Sequence, residues 1–115
     1  MPDEKNSYTS FENFAALDIR VGTVTGVEEF PEARISAYKI TLDFGSIGQK
    51  RTSAQITDLY TPEDLVGTQV VGVVNFPPKS IAGFSSEVLI LGVYTREGVT
   101  LLRPEHPADN GDTIG

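Results

Sequence analysis

The clearest pattern of hydrophobic and polar positions runs from Ala37 to Phe44. Tyr38, Ile40 and Leu42 fall on the same face as Phe44, and polar or charged residues separate them. A period of two is typical of a strand that has one buried face and one solvated face. This stretch therefore predicts a strand of the hydrophobic core.

Further runs rich in apolar and β-branched residues predict the other strands. They cover residues 18–27, 50–56, 68–74, 88–95 and 99–103. In the first run Ile19 and Val21 share one face, whereas Val24 falls out of phase. Gly22 lies at this change of phase, so we predict a β-bulge there and a strongly curved first strand, as small closed barrels need.

A short helix is predicted before the first strand. Phe11, Phe14 and Leu17 recur at helical spacing, which places the helix at residues 10–16. Thr9 precedes a glutamate by three residues, the spacing of a capping box, and is the predicted cap. The apolar face of this helix must pack either on the barrel or on a second subunit.

A second helix, between the third and fourth strands, is marked by its terminal residues. Thr61 is the predicted N-cap, Pro62 occupies the first turn, and Gly67 ends the helix after little more than one turn. Five curved strands with a helix in this place have the order of an OB-fold. The sequence thus predicts an all-β, five-stranded Greek-key barrel with a short N-terminal helix and a small C-terminal strand extension.

The length of 115 residues suits one hydrophobic core. We predict a frayed tail at residues 1–9 and a single domain over residues 10–115. The N-terminus has neither a basic start nor an apolar segment, so we expect no signal peptide and a cytoplasmic location. No apolar run approaches membrane-spanning length, so membrane insertion is not expected.

The connection between the fourth and fifth strands, residues 75–87, is too apolar for an ordinary solvated loop. It carries Phe76, Ile81 and Phe84, and two consecutive prolines favour an extended, preset backbone. Such a loop either packs on its own core or presents its apolar side chains to a partner. The second alternative would create a pocket suited to extended apolar segments flanked by charge.

Cysteine and histidine, two residue types that commonly carry out catalysis, are absent or rare in this chain. There is no cysteine, so thiolate chemistry is excluded. His106 is the only histidine, so a histidine-based triad has little support. No spacing marks a general acid–base pair, a metal site or a phosphate loop. We therefore expect a protein that is not an enzyme and that holds no metal and no cofactor.

The net charge of −7 is opposite to that of a typical non-specific nucleic-acid binder. Basic residues nevertheless concentrate in the body of the chain, where they form either a local cationic face or scattered surface charges. The candidate nucleic-acid-binding residues are Arg20, Arg34, Lys39, Lys50, Arg51 and Lys79.

Three polar side chains near the apolar connection are further candidates. Glu87 is either an ordinary acid at a strand entry or a polar anchor at the floor of a groove. Gln55 and Asn75 can both donate and accept, so each can hold a peptide backbone or the edge of a base.

Several motifs together resemble one protein family. They are Leu17-Asp18-Ile19-Arg20-Val21-Gly22, Phe30-Pro31-Glu32-Ala33-Arg34, Ser53-Ala54-Gln55-Ile56-Thr57, Val74-Asn75-Phe76-Pro77-Pro78 and Ser86-Glu87-Val88-Leu89-Ile90-Leu91-Gly92. The chain resembles the CsaA-type secretion chaperones. These belong to the wider tRNA-binding-domain family, which includes the domain appended to methionyl-tRNA synthetases. The resemblance extends from about Phe11 to the last strand.

The resemblance implies an OB-fold homodimer without catalysis that binds unfolded preproteins, is linked to the export ATPase SecA and has a capacity to bind tRNA. It also implies a peptide-binding pocket made of Ser53, Gln55, Asn75, Phe76, Pro77, Pro78, Lys79, Ile81, Phe84, Ser86 and Glu87. Two departures stand out. Ile35 and Ser36 replace an expected lysine and proline, and Ser85 stands where the family often has methionine.

Overall fold

A computed structural model describes residues 7–115 of the chain. Residues 1–6, which make up most of the predicted frayed tail, lie outside the described part. In chain order the elements are α1 (Phe11–Ala15), β1 (Ile19–Glu29), β2 (Tyr38–Asp43), a 3-10 turn (Gly45–Ile47), β3 (Gln49–Ala54), α2 (Pro62–Leu65), β4 (Gln69–Val73), β5 (Lys79–Ile81), β6 (Phe84–Ser86), β7 (Leu89–Ile90), β8 (Gly92–Tyr94) and β9 (Val99–Leu101). No helix within residues 7–115 has the length and apolar character needed to cross a membrane.

Five antiparallel strands form a nearly closed barrel in the order β3-β2-β1-β4-β7. The long strand β1 makes this possible because its first half pairs with β4 and its second half pairs with β2. Two small hairpins, β5–β6 and β8–β9, lie beside the barrel. The predicted five-stranded OB-type barrel is therefore confirmed.

The barrel core is built on the strand with the clearest alternation. Tyr38, Ile40, Leu42 and Phe44 are all buried, and Leu42 and Phe44 are fully inaccessible to solvent. A smaller apolar cluster on the other face of β1 consists of Ile19, Val71 and Val73, with Leu17 and Leu91 packed against it.

The predicted bulge at Gly22 is wrong. The register between β1 and β2 shifts further along, between Val24 and Gly26. Gly22 has a different role, because a Cβ atom there would lie 2.7 Å from Cε1 of Phe44. The glycine therefore lets the Phe44 ring lie directly against the backbone of β1.

The two predicted helix starts have different outcomes. At α2 the predicted cap is confirmed, since Thr61 and Asp64 form a reciprocal capping box. The hydrogen bond from the Thr61 N–H holds the pKa of the Asp64 carboxyl below its usual value. At α1 the predicted cap, Thr9, is wrong: the N-cap is Ser10, without a side-chain cap. The Thr9 hydroxyl accepts a hydrogen bond from the Asn13 side chain instead.

Two predicted segments are more structured than expected. The connection at residues 75–87 contains the β5–β6 hairpin, whose turn has positive φ at Ala82 (48°) and Gly83 (81°). The predicted fifth strand, residues 88–95, is divided at Leu91 into β7 and β8, which pair with different partners.

The C-terminal segment also has a structural role that the sequence pattern does not indicate. The N–H groups of Gly111 and Ile114 donate to the carbonyls of Val21 and Ile19, and the Val21 N–H donates to Asp112. This segment therefore covers the edge of β1 that β2 does not reach.

We predict that Gly22→Ala lowers the free energy of unfolding by about 1–3 kcal/mol, because the added methyl group meets the Phe44 ring in a filled core. Urea denaturation measures the change. Gly26→Ala is the matched control, since its nearest neighbour would lie 3.7 Å away. Equal stability of the two variants would contradict this role for Gly22.

Candidate functional site

An open cavity of about 650 Å³ lies between the end of β3, the β5–β6 hairpin and strands β7 to β9. Its wall is mostly apolar, and its polar groups come from both ends of the 75–87 connection and from β3. The lining residues are Ser53, Ala54, Gln55, Ile56, Phe76, Pro77, Lys79, Ile81, Ser86, Glu87, Val88, Leu89, Ile90, Gly92, Tyr94 and Val99.

Most of the residues predicted to bind peptide meet at this cavity. Those present are Ser53, Gln55, Phe76, Pro77, Lys79, Ile81, Ser86 and Glu87. Asn75, Pro78 and Phe84 do not line it. Pro78 is an exposed residue of the connection.

Asn75 joins two parts of the backbone instead of facing the cavity. Its Oδ1 atom accepts from the Asp18 N–H at 2.8 Å, and its Nδ2 atom donates to the Ala16 carbonyl at 2.9 Å. Both donor and acceptor of the amide are therefore used to hold the segment between α1 and β1 against the end of β4.

Phe84 lies under two cationic side chains. It is only 8% exposed, and its ring packs edge-to-face on Phe30 with centroids 5.5 Å apart. Lys39 Nζ is 4.7 Å from the Phe30 centroid and 5.3 Å from that of Phe84, and the Arg51 guanidinium is 4.7 Å from Phe84. We call these four residues the cation–aromatic cluster. Its geometry is that of cation–π packing, which fixes the hairpin on β2 and β3.

The candidate cations otherwise do not form one face. Arg20 is held by Asp18 at 2.7 Å and by the Gly111 carbonyl at 3.1 Å. Arg34 is exposed in the β1–β2 connection, and Lys50 lies opposite Leu42 in the β2–β3 ladder.

A seam of hydrogen bonds closes the barrel beside the cavity. The Glu87 N–H donates to the Arg51 carbonyl, and Glu87 Oε1 accepts from the Arg51 N–H. Ser86 Oγ lies 2.9 Å from Thr52 Oγ1 and accepts from the Ser53 N–H at 3.0 Å. We call this the β3 seam. Side-chain oxygens of Glu87 and Ser86 thus accept from backbone N–H groups of β3 that would bond to backbone carbonyls in a continuous ladder.

The far wall of the cavity is held by a pair of tyrosines. Tyr38 Oη donates to the Tyr60 carbonyl at 2.7 Å, and Tyr60 Oη accepts from the Leu101 N–H at 2.9 Å. Burial raises the pKa of Tyr60, but the hydrogen bonds from Leu101 and Thr100 and the charge of Arg103 outweigh it and lower the pKa. These bonds fix β9 and thereby place Val99 in the wall.

Leu89 and Tyr94 are cavity residues that the sequence pattern did not indicate. They are 52% and 92% exposed, whereas the neighbouring Val88 is buried. The available signal was the apolar run at residues 88–95, which indicates a strand without indicating which side chains are left uncovered. Within residues 7–115 no group of histidine, cysteine or acidic side chains is arranged to hold a metal ion.

Residues 19–113 match the family described as "Putative tRNA binding domain". The chain belongs to this tRNA-binding-domain family. It is similar to the chaperone CsaA of Bacillus anthracis, with 54% identity and a TM-score of 0.90 over 95% of this chain and 100% of that one. It is also similar to the CsaA chaperone of Picrophilus torridus, with 46% identity and a TM-score of 0.90 over 94% and 100% of the two chains.

A relative of a different kind is the methionine–tRNA ligase of Pyrococcus furiosus, which is 36% identical over 113 residues. The match covers 97% of this chain and 15% of the ligase, so the chain spans only a small part of that enzyme. The resemblance to CsaA-type chaperones and to the wider family is therefore confirmed.

We predict that Ser86→Ala lowers the free energy of unfolding by about 1–3 kcal/mol, because Thr52 loses a hydroxyl partner and the Ser53 N–H loses its acceptor. Thermal and urea denaturation measure the change. Ser85→Ala is the matched control, since Ser85 is exposed in the same hairpin strand. If both variants are as stable as the unchanged chain, the β3 seam does not hold the barrel closed.

Proposed function

We propose that this member of the family is an export-related chaperone that binds extended, unfolded segments of preproteins in the cavity beside the 75–87 connection. The observation that carries the proposal is an open, apolar-walled cavity of about 650 Å³ whose rim carries uncovered Phe76, Leu89 and Tyr94. The similarity to two CsaA chaperones supports it.

The physical basis is the exposure of apolar surface on a rigid support. Phe76 and Leu89 are 46% and 52% exposed, so both can lose further contact with water when an apolar side chain enters. The prolines at 77 and 78 restrict the connection that carries Phe76, which reduces the conformational entropy lost on binding. Lys79 and Glu87 on the lining supply charges of both signs for polar positions of a client.

The proposal includes a homodimer. Phe11 and Phe14 on α1 are 76% and 38% exposed, and Val93 and Leu102 on the C-terminal side are 48% and 41% exposed. Apolar side chains in such number are a typical basis for self-association. Light scattering at micromolar concentration tests this part, and a monomer mass contradicts it.

We further propose a cytoplasmic location, an interaction with the export ATPase SecA, and a binding role without catalysis. The support is the similarity to CsaA chaperones. Co-sedimentation with SecA, with and without a client peptide, tests the interaction. Failure to co-sediment in either condition contradicts it.

We predict that Phe76→Ala weakens binding of a short fluorescein-labelled apolar peptide with terminal lysines by about fivefold or more, as expected when an anchor side chain is removed. Fluorescence anisotropy measures the affinity. Ile35→Ala removes another exposed apolar side chain that lies outside the cavity and serves as the control. Equal losses in both variants, or none, would place peptide binding elsewhere.

The second candidate function is structure-specific binding of tRNA. The cation–aromatic cluster favours it, because Lys39 and Arg51 hold positive charge together on the outer face of β2 and β3. That face of an OB-fold commonly binds oligonucleotides. The affinity for tRNA should then fall with salt, with a log–log slope of about −0.9 per neutralised phosphate on duplex.

Removal of one phosphate contact should reduce that slope by about one in Arg51→Ala and leave it unchanged in Arg96→Ala, whose side chain lies in the β8–β9 turn. A flat salt dependence in the unchanged chain contradicts the tRNA function. Competition between tRNA and the labelled peptide shows whether the two ligands use overlapping surfaces.

A further inference from the structure

The hydrogen bonds of the β3 seam involve residues 51–53 and do not continue to residue 55. Arg51 directs its N–H and carbonyl toward the seam, and Ser53 directs its N–H the same way, as their bonds to Glu87 and Ser86 show. Alternate residues of a strand direct their backbone groups to the same edge. The next residue in this series is Gln55, where the seam has ended and the cavity begins.

The backbone of Gln55 is unpaired within residues 7–115. The ladder between β2 and β3 ends with Tyr38 opposite Ala54, and no backbone or side-chain hydrogen bond reaches the Gln55 N–H or carbonyl in that part of the chain. Gln55 is exposed and lies on the cavity lining. An unpaired backbone position thus lies on the cavity lining, directly after the end of β3.

The chain on the opposite side of the cavity, at residues 88–90, also directs backbone groups toward β3. The Val88 carbonyl accepts from the Thr52 hydroxyl across the seam, so Val88 directs its backbone toward β3. Ile90, two residues further, continues in that direction and lines the cavity, while the Leu91 N–H donates to Val71 on β4. The cavity therefore lies between the end of β3 and strand β7, past the last hydrogen bonds of the β3 seam.

From this arrangement we infer that a client peptide binds as an added β-strand that pairs with the backbone of Gln55, directly beyond the Ser53 N–H that already donates to Ser86. This inference rests on the proposed function and specifies how the cavity takes its ligand. An extended polypeptide offers a donor and an acceptor on every second residue, about 6.8 Å apart, which matches the repeat of a strand edge. The sugar–phosphate backbone of a nucleic acid has no such row of donors.

The cavity also determines which peptide fits. Side chains of an added strand alternate, so every second one enters the wall formed by Ile56, Ile81 and Val99, and the others face outward. Because the backbone supplies the common contacts, many sequences with apolar residues at alternate positions qualify. The net charge of −7 favours clients with basic flanks.

The test compares two substitutions at one position. Gln55→Pro removes the backbone N–H together with the side chain, whereas Gln55→Ala removes only the side chain and is the matched control. We expect Gln55→Pro to bind the labelled peptide about tenfold more weakly than Gln55→Ala in fluorescence anisotropy, as expected for one lost backbone hydrogen bond. Equal affinities of the two variants would overturn strand pairing at Gln55.

A second measurement uses the unchanged chain, so that it does not depend on the folding of the proline variant. Hydrogen exchange followed by NMR should show slower exchange of the Gln55 amide when the peptide is bound. The same peptide with one ester bond facing Gln55 should bind more weakly than the all-amide peptide. An unprotected Gln55 amide, or an ester without effect, contradicts the inference.

The possible outcomes distinguish the binding of the peptide as an added strand from the chaperone function on which that inference rests. Absence of any peptide binding to the unchanged chain contradicts the proposed chaperone function itself. Peptide binding that leaves the Gln55 amide unprotected retains that function and rejects only the added strand. Protection of the same amide by an oligonucleotide in place of peptide rejects the peptide as the occupant of this edge.

Discussion

Closure of the barrel depends on the hydroxyl of Thr52. Thr52 is fully buried, and its hydroxyl contacts Ser86 Oγ and the Val88 carbonyl. A buried hydroxyl without partners costs free energy, whereas a satisfied one fixes the geometry around it. The hydroxyl thereby ties Ser86 of the hairpin and Val88, just before β7, to strand β3. Together with the two hydrogen bonds between Arg51 and Glu87, this contact closes the barrel at the border of the cavity.

The β5–β6 hairpin links the two surfaces that we associate with ligands. Lys79 and Ile81 line the cavity, whereas Phe84, directly opposite Ile81 in the hairpin, packs on Phe30 beneath Lys39 and Arg51. Burial of the Phe84 ring makes it unavailable for stacking on a base, so any contribution of this cluster to nucleic-acid binding comes from its charges. The hairpin therefore connects the cavity with the surface that carries Lys39 and Arg51.

A second constraint operates on the other side of the barrel. The Phe44 ring lies against Gly22, and the Phe44 carbonyl would be 2.6 Å from a Cβ atom on Gly111. Two close approaches thus depend on glycine, one between β1 and the core and one between the C-terminal segment and the end of β2. The C-terminal segment contributes to the sheet through its backbone, and this explains why its sequence carries no strand pattern.

The sequence by itself determined the order of strands and helices along the chain, the core face of β2 and the cap of α2, because these depend on local periodicity and on side chains close in the chain. It also indicated the family, and most of the residues selected through that resemblance meet at one cavity. Only the tertiary structure decided that Asn75 fixes the backbone, that Phe84 is buried, that Leu89 and Tyr94 are uncovered, and that residues 111–114 pair with β1. The physical reason is that hydrogen bonds and burial between residues far apart in the chain depend on how the elements pack. Hydrophobic periodicity reports only on local structure and does not specify that packing.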